Sequence, residues 1–298
     1  MIGDMADVAA SIDQALRTLP GIGIVIAAVF GLVVGSFINV LVHRLLLMLR
    51  QVEEIEAQNI VDQGSGGIVH LISLIIPRSR CTSCSHELRW WENIPVVSYL
   101  VLRGRCSACG QTISLRYPAV ELACCAAAVA VMLVYGVAWH TLGAMVLSFS
   151  LIAIAVIDID TRMIPDVVVL PMLWLGLFYN AFGLIVDADD AILGAVAGYL
   201  VLWLIYWIYK LVTGMEGLGF GDLKLAAMLG AWLGVTMIPI FLMVAFTAGT
   251  LVGVGLIIFA GGSRHSVVPF GPFLAAAGWV ALLWGDQLKQ FYLDWAIG

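Results

Sequence analysis

Of the 298 residues, 62% are hydrophobic and only 11% are charged, whereas soluble domains typically carry about 25% charged residues. Apolar runs of roughly 17–25 residues recur along the chain, and each is long enough to cross a hydrocarbon core about 30 Å thick. The composition therefore excludes a soluble globular protein and predicts an all-α polytopic membrane protein. The short alternating segments of an outer-membrane barrel are absent.

The apolar runs predict about eight transmembrane helices, with one sizeable polar segment, residues 45–117, between the first and the second. The first run lacks a basic start and a small-residue cleavage site, so we expect a retained anchor and not a removed signal peptide. Every lysine and arginine except Arg17 and Lys289 falls on one side of this arrangement, and the positive-inside rule places that side in the cytoplasm. The predicted spans are residues 21–44, 118–138, 142–160, 167–186, 190–212, 223–236, 238–260 and 269–285.

The first span carries small and polar residues on an otherwise apolar helix. Gly31 and Gly35 form a pair of small residues four apart, which lets neighbouring helices approach closely. Asn39 follows one turn later, and a buried amide needs hydrogen-bond partners. Gly35 and Asn39 are therefore candidates either for helix packing or for contact with a ligand.

Two C-x-x-C pairs lie in the polar segment, separated by 21 residues. Four thiolates supplied by two tight turns are a typical tetrahedral site for structural Zn²⁺. A redox-active pair is the alternative, while disulfides are not expected in a cytoplasmic segment. His86 is close enough to replace one ligand, although four cysteines already complete the set. The predicted zinc ligands are Cys81, Cys84, Cys106 and Cys109.

Glu92 and Asn93 lie between the two cysteine pairs, directly after Trp90 and Trp91. Adjacent tryptophans are typical of an anchor at the membrane interface. The two polar side chains are expected either to bind a polar ligand or to cap a turn, and the sequence leaves both interpretations open.

Carboxylates interrupt the apolar pattern at two places, at the end of the third span and after a glycine-rich segment, residues 215–221. Residues two apart on a helix point about 200° apart, so Asp158 and Asp160 cannot act as one pair. Asp160 and Asp166 are interpreted as solvated or helix-capping residues. Asp158 and Asp222 need another explanation, because a carboxylate drawn into a bilayer costs about 2.5–3.5 kcal/mol.

The topology places Asp158 and Asp222 at the same membrane depth on the cytoplasmic side. Two neighbouring carboxylates do not both ionise easily, so one is expected to stay protonated near neutral pH. An ionised and a protonated carboxyl group together can activate water and polarise a peptide carbonyl. The sequence therefore predicts an aspartyl protease dyad. The glycines before Asp222 permit left-handed backbone and close approach, and Lys224 is expected to meet lipid headgroups or an anionic ligand.

The motifs as a set resemble those of the type IV prepilin peptidases, and the resemblance covers nearly the whole chain. No motif for a serine hydrolase, a metalloprotease, a P-loop enzyme or a Rossmann enzyme is present. Besides the paired C-x-x-C, the motifs that carry the resemblance are G-S-F-x-N-V at 35–40, W-W-E-N-I-P at 90–95, L-R-Y-P at 115–118, D-x-D at 158–160 with P-D at 165–166, G-x-G-D at 219–222 and P-F-G-P-F at 269–273.

The resemblance implies a bifunctional enzyme of type IV pilus and type II secretion systems, located in the bacterial inner membrane. Asp158 and Asp222 would cleave the leader of prepilins or pseudopilins after a glycine, at the cytoplasmic face. S-adenosylmethionine would then methylate the new N-terminus, which is usually Phe. The candidates for the donor site are Gly35, Asn39, Glu92 and Asn93, chosen because they lie close to the cytoplasmic domain.

The expected organisation has three parts: an N-terminal segment with the first transmembrane helix at 1–48, a cytoplasmic zinc-binding domain at 49–117, and a transmembrane peptidase domain at 118–298. Prepilins and membrane lipids are the expected partners, and nucleic acid is not. A transporter that uses the two aspartates to carry protons or cations is the alternative function. A purely structural assembly factor is a third interpretation.

Overall fold

A computed structural model describes residues 20–57, 81, 83–215, 217–259 and 268–297. Within these ranges the regular elements are helices, with no strand beyond isolated bridges such as Arg105 to Thr112. Residues 58–80 of the predicted zinc-binding domain lie outside the described part of the chain. The α-helices are α1 Pro20–Ala57, α2 Val97–Val101, α3 Arg116–Tyr135, α4 Trp139–Thr161, α5 Asp166–Asn180, α6 Ala188–Thr213, α7 Phe220–Leu233, α8 Ile238–Phe259 and α9 Gly271–Ile297, with 3₁₀ turns at Trp90–Asn93 and Val235–Met237.

The predicted all-α membrane architecture is confirmed, but the count of eight spans is not. Among the described residues, five segments are long and apolar enough to cross a bilayer. Helix α7 has 14 residues, so it is about 21 Å long and shorter than a hydrocarbon core of about 30 Å. Helix α9 kinks at Trp284 and continues to Ile297, past the predicted end at residue 285. The five candidate spans are Gly21–Met48, Arg116–Tyr135, Trp139–Thr161, Ala188–Thr213 and Val235–Phe259.

The chain divides into two compact units, Gln14–Leu133 and a larger unit made mainly of Val134–Gly298. In the first unit, α1 and α3 are in backbone contact at the glycine pair of the first span. A Cβ atom added at Gly31 or Gly35 would lie 2.7 Å from the Cα of Cys125 or Glu121, respectively. Only glycine permits this approach, so the packing interpretation of the pair is correct.

The second unit is built around α7. From Asp222 to Leu233 every residue of this helix except Lys224 is buried. Gly194 and Gly198 of α6 lie directly against the backbone of α7, and a Cβ at Gly198 would be 2.5 Å from a carbonyl oxygen of that helix. This close-packed seam fixes the position of α7 and of the acidic residue at its start.

The opposite end of α7 is held by Asn180, which is fully buried at the end of α5. Its side-chain amide donates hydrogen bonds to the carbonyl oxygens of Ala231 and Trp232 at 2.9 and 3.2 Å. Its side-chain oxygen accepts from the N–H groups of Ile185 and Val186. One side chain therefore satisfies the last carbonyls of α7 and the following loop, as a buried helix end requires.

Candidate aspartate and cysteine sites

Asp158 lies near the end of α4, on its buried face. The helix ends because Arg162 adopts a left-handed conformation, with φ 57°, and its N–H donates to the carbonyl oxygen of Asp158 at 2.8 Å. The Asp158 side chain is 5% exposed, whereas Asp160 is exposed. The two acids point in different directions, as helical geometry predicts.

Asp222 is the third residue of α7 and is 8% exposed. Its Oδ2 accepts a hydrogen bond from the N–H of Gly219 at 3.2 Å, so the side chain closes the first turn of the helix. This position also places the carboxylate at the positive end of the helix dipole. The first turn of helix α7 thus contains a buried acid.

Ile164, in the loop after α4, lies against two glycines that adjoin the aspartates: Gly221, which precedes Asp222, and Gly271, which contacts Asp158. A Cβ added at Gly221 would lie 2.8 Å from the Cβ of Ile164, and one added at Gly271 would lie 2.5 Å from Oδ2 of Asp158. The charge of Asp158 acts electrostatically on the carboxyl group of Asp222. Oδ2 of Asp158 is fully buried and lies against the backbone of Gly271.

The glycines before Asp222 serve close approach and not a left-handed backbone. Gly219 has φ −80°, a value open to any residue, whereas Gly221 is needed because a larger side chain would collide with Ile164. Gly271, at the first position of α9, has the same function beside Asp158. Two glycines therefore let the chain pass close to the acidic pair.

Lys224 forms an ion pair with Asp166, the first residue of α5. Its Nζ lies 2.7 Å from both carboxylate oxygens, and the two side chains are 32% and 54% exposed. Asp166 occupies the first helical turn, as predicted. The pair links the starts of α5 and α7 beside the aspartates.

An open pocket lined by three phenylalanines includes Phe270, the residue before Gly271. Phe246 and Phe270 stack there with ring centroids 5.0 Å apart. The other lining residues are Gly249, Thr250, Val268 and Phe273. Phe270 thus lines this pocket, and the next residue, Gly271, contacts Asp158.

In the first unit, the four cysteines of the two C-x-x-C pairs form one cluster. Their sulfur atoms all lie within 4.8 Å of one another. The Sγ atoms of Cys81 and Cys109 are 3.9 Å apart, and those of Cys84 and Cys106 are 4.0 Å apart. Tetrahedral zinc with Zn–S bonds of about 2.3 Å places sulfurs about 3.8 Å apart, whereas a disulfide requires about 2.05 Å. The arrangement fits a metal and not a disulfide.

The two cysteine turns repeat one backbone pattern. The N–H of Cys81 donates to the carbonyl of His86 at 2.9 Å, and that of Cys106 donates to the carbonyl of Gln111 at 2.8 Å. The residue after the second cysteine is left-handed in both turns: Ser85 has φ 57° and Gly110 has φ 71°. Each C-x-x-C pair therefore forms its own ligand turn from local sequence.

Backbone N–H groups prepare the first cysteine of each turn for metal binding. Those of Cys84 and Ser83 lower the pKa of the Cys81 thiol to about 6. The equivalent groups of Cys109 and Ala108 lower the pKa of Cys106. Burial and the neighbouring thiols raise the pKa of Cys84 to about 12. The turns therefore favour the thiolate form, which zinc binds, at the first cysteine of each pair.

Glu92 lies buried between the two cysteine turns. It accepts a hydrogen bond from the N–H of Arg89 at 2.7 Å, and its Oε2 is 3.4 Å from Nε2 of His86. The Ser107 hydroxyl, the Arg89 N–H and His86 all lower the pKa of Glu92, in that order. Glu92 thus closes the 3₁₀ turn, and His86 faces Glu92 rather than joining the sulfur cluster. Asn93 is exposed.

The remaining donor-site candidates, Gly35 and Asn39, lie on α1. Gly35 packs on α3, and the side-chain amide of Asn39 donates to the carbonyl oxygen of Tyr117 at 2.9 Å. A second buried acid lies in the same region, Glu121 of α3, which is 8% exposed and was not among the residues predicted from the sequence. The sequence did contain an indication of this residue, because Glu121 is a carboxylate inside an apolar span.

Two family models match most of this chain. The bacterial peptidase A24 N-terminal domain matches residues 29–135, and the type IV leader peptidase family matches residues 145–254. The chain belongs to the type IV leader peptidase family. The resemblance drawn from the motifs is thereby confirmed.

Curated relatives match over almost their full length. The prepilin leader peptidase/N-methyltransferase of Stutzerimonas stutzeri is 45% identical over 91% of this chain and 93% of its own. The protein of that name from Pseudomonas putida is 49% identical, over 90% and 93%, and that from Aeromonas hydrophila is 45% identical, over 92% and 95%. No solved structure matches the chain significantly.

Proposed function

We propose that this protein cleaves the leader peptide of type IV prepilins and pseudopilins and then N-methylates the new N-terminus with S-adenosylmethionine. The observation that carries the proposal is the convergence of two buried carboxyl groups, Asp158 and Asp222, in a membrane protein of the type IV leader peptidase family. Membership of that family gives no support to the transporter alternative.

Cleavage needs the two carboxyl groups and one water molecule. The ionised aspartate takes a proton from water as its oxygen adds to the scissile carbonyl carbon, while the protonated aspartate donates to the carbonyl oxygen. The C–N bond then breaks and the leaving amine takes up a proton. Because the two groups interact, their pKa values belong to the pair. Gly271 contributes by allowing the backbone to pass close to Oδ2 of Asp158.

The cysteine cluster is proposed as a structural zinc site. The sulfur spacing and the lowered pKa of Cys81 and Cys106 support this assignment. Zinc would be held by Cys81, Cys84, Cys106 and Cys109, and would join the two turns of a segment with few buried apolar residues of its own. On this proposal residues 49–117 are a zinc-binding domain and residues 118–298 are the peptidase domain.

Methyl transfer uses S-adenosylmethionine, which supplies an electrophilic methyl group to the amine released by cleavage. Of the four candidates for the donor site, Gly35 and Asn39 contact α3, and Glu92 contacts the cysteine turns. Asn93 is exposed. The donor site therefore remains a prediction at all four positions.

The proposed location is the bacterial inner membrane, with the aspartates and the cysteine segment facing the cytoplasm. The distribution of lysine and arginine among the loops supports this orientation. Large apolar side chains such as Val25, Leu204 and Leu251 are exposed on the candidate spans, which suits contact with membrane lipids.

The function is tested with purified protein in mixed detergent–lipid micelles and a synthetic prepilin peptide. Mass spectrometry follows removal of the leader and addition of one methyl group. We expect Asp158→Asn and Asp222→Asn each to lower the cleavage rate by about 10²-fold or more, while a pre-cleaved peptide is still methylated. Asp160→Asn is the matched control and should cleave normally. Normal cleavage by either dyad variant would reject the dyad.

A further inference from the structure

Glu121 is a buried acid that the proposed cleavage and the cysteine cluster do not use. It is the sixth residue of α3, so it lies about 7 Å from the start of that helix. Its Oε2 accepts a hydrogen bond from the N–H of Val96 at 2.7 Å, and the Ser36 hydroxyl of α1 is a second partner. Gly35 lies against its Cα. The carboxylate is thus fixed between α1, α3 and the turn before α2.

This carboxylate has no cationic partner among the described residues. The other buried acid of the same unit, Glu92, has the imidazole of His86 at 3.4 Å. A buried carboxyl group without a nearby cation tends to stay protonated, because an isolated charge in a low-dielectric interior is unfavourable, and a bound cation would stabilise its ionised form. Two hydrogen bonds also leave acceptor positions of Glu121 unused. A ligand cation would complete the site.

The turn held by Glu121 is strained. Val96 has φ 59° and ψ −45°, a backbone conformation that is rare for a β-branched residue. Strain of this kind persists where surrounding contacts impose it, and it is frequent at functional sites. The hydrogen bond from the Val96 N–H to Glu121 is such a contact. The turn therefore positions the carboxylate, and the carboxylate in return fixes the turn.

We propose that Glu121 binds the α-ammonium group of the substrate's new N-terminus for methylation. The inference rests on the proposed function, since cleavage is what generates this cation. A peptide that remains in the membrane after cleavage presents its amine near the membrane surface, and Glu121 lies within two turns of the end of a candidate span. A carboxylate that already has two neutral donors is suited to bind an ammonium group through charge-assisted hydrogen bonds.

The test uses the full-length protein in micelles with pre-cleaved peptides, one with a free N-terminal amine and one N-acetylated. The wild type should bind the free amine about tenfold or more tightly than the acetylated peptide. Glu121→Gln keeps an acceptor for Val96 and Ser36 but removes the charge. It should abolish this preference and raise the KM for the free-amine peptide about tenfold, with the KM for the donor, leader cleavage and metal content unchanged.

Glu87→Gln is the matched control, since it removes an exposed carboxylate of the same unit, and it should retain the preference for the free amine. Glu121→Asp should restore part of the preference. The proposal is overturned if Glu121→Gln still prefers the free amine, if only the KM for the donor rises, or if cleavage and metal content fall together with methylation. Failure of the wild type to methylate any peptide would reject the proposed function instead.

Discussion

The cysteine cluster and the aspartate pair are assembled in opposite ways. Each cysteine turn is closed by its own backbone hydrogen bonds, within six residues, and both turns repeat one pattern. The aspartates are 64 positions apart in the sequence, and neither makes a side-chain hydrogen bond to the other's helix. The segments that hold them come together at Ile164, which lies against both Gly221 and Gly271.

This difference predicts which substitutions will disrupt each site. The cysteine cluster depends on four ligand side chains and on the conformation of two turns. The aspartate pair depends on glycines that contribute no chemistry but leave room for the backbone. Substitutions of ligands should therefore damage the first site most, and substitutions of spacing residues should damage the second.

The largest effect is expected from Cys106→Ser. Because structural zinc contributes about 10–16 kcal/mol to the folding of small zinc domains, loss of one ligand should release the metal and destabilise the Gln14–Leu133 unit. Elemental analysis should give one zinc per chain for the wild type and almost none for the variant. Cys125→Ser, outside the cluster, should keep its zinc. A metal-free wild-type preparation with full activity and unchanged thermal stability would contradict the assignment.

The next largest effect is expected from Gly271→Ala. Its Cβ would lie 2.5 Å from Oδ2 of Asp158, so the carboxylate must move, and a displacement of about 1 Å at a catalytic group can cost about 10²-fold in rate. Peptide cleavage should fall accordingly, with the thermal midpoint nearly unchanged. Gly253→Ala in α8 is the control, because nothing lies within 4 Å of its Cβ position. Equal cleavage by both variants would show that this contact does not position Asp158.

Smaller effects on turn stability, of opposite sign, are expected from substitutions at the equivalent positions 85 and 110 of the two cysteine turns. Ser85 is left-handed, so Ser85→Gly should stabilise its turn by about 1 kcal/mol. Gly110→Ala should destabilise the other turn by a similar amount through backbone strain alone, since no atom lies within 4 Å of the added Cβ. The rate of zinc release to a chelator measures both. Faster release from Ser85→Gly would count against the shared conformation.

The smallest effect is expected from Lys224→Gln. Its ion pair with Asp166 is half exposed, and such pairs contribute about 0–1 kcal/mol. Thermal stability should change little and cleavage should stay within about twofold of wild type. Asp166→Asn should have the same effect, and the double variant should lose no more than either single one. A large loss of cleavage in Lys224→Gln alone would indicate that this lysine contacts the substrate.

The sequence by itself determined the all-helical membrane class, the family and the grouping of the four cysteines. These features are local: hydropathy reports the length of a span, and two C-x-x-C turns form their ligand geometry within a few residues. Helical periodicity was also sufficient to separate Asp158 from Asp160. Catalysis by Asp158 and Asp222, zinc binding and the donor-site residues stay predictions.

Only the tertiary structure decided which groups meet. It placed Gly271 against Asp158, Lys224 on Asp166 and Glu121 beside Val96, all between segments remote in sequence. It also showed that α7 is a short buried helix and that the glycine before Asp222 serves close contact. The physical reason is that the hydropathy pattern indicates which segments form apolar helices, but not which helices pack against each other. Those contacts depend on the close packing of backbones in three dimensions.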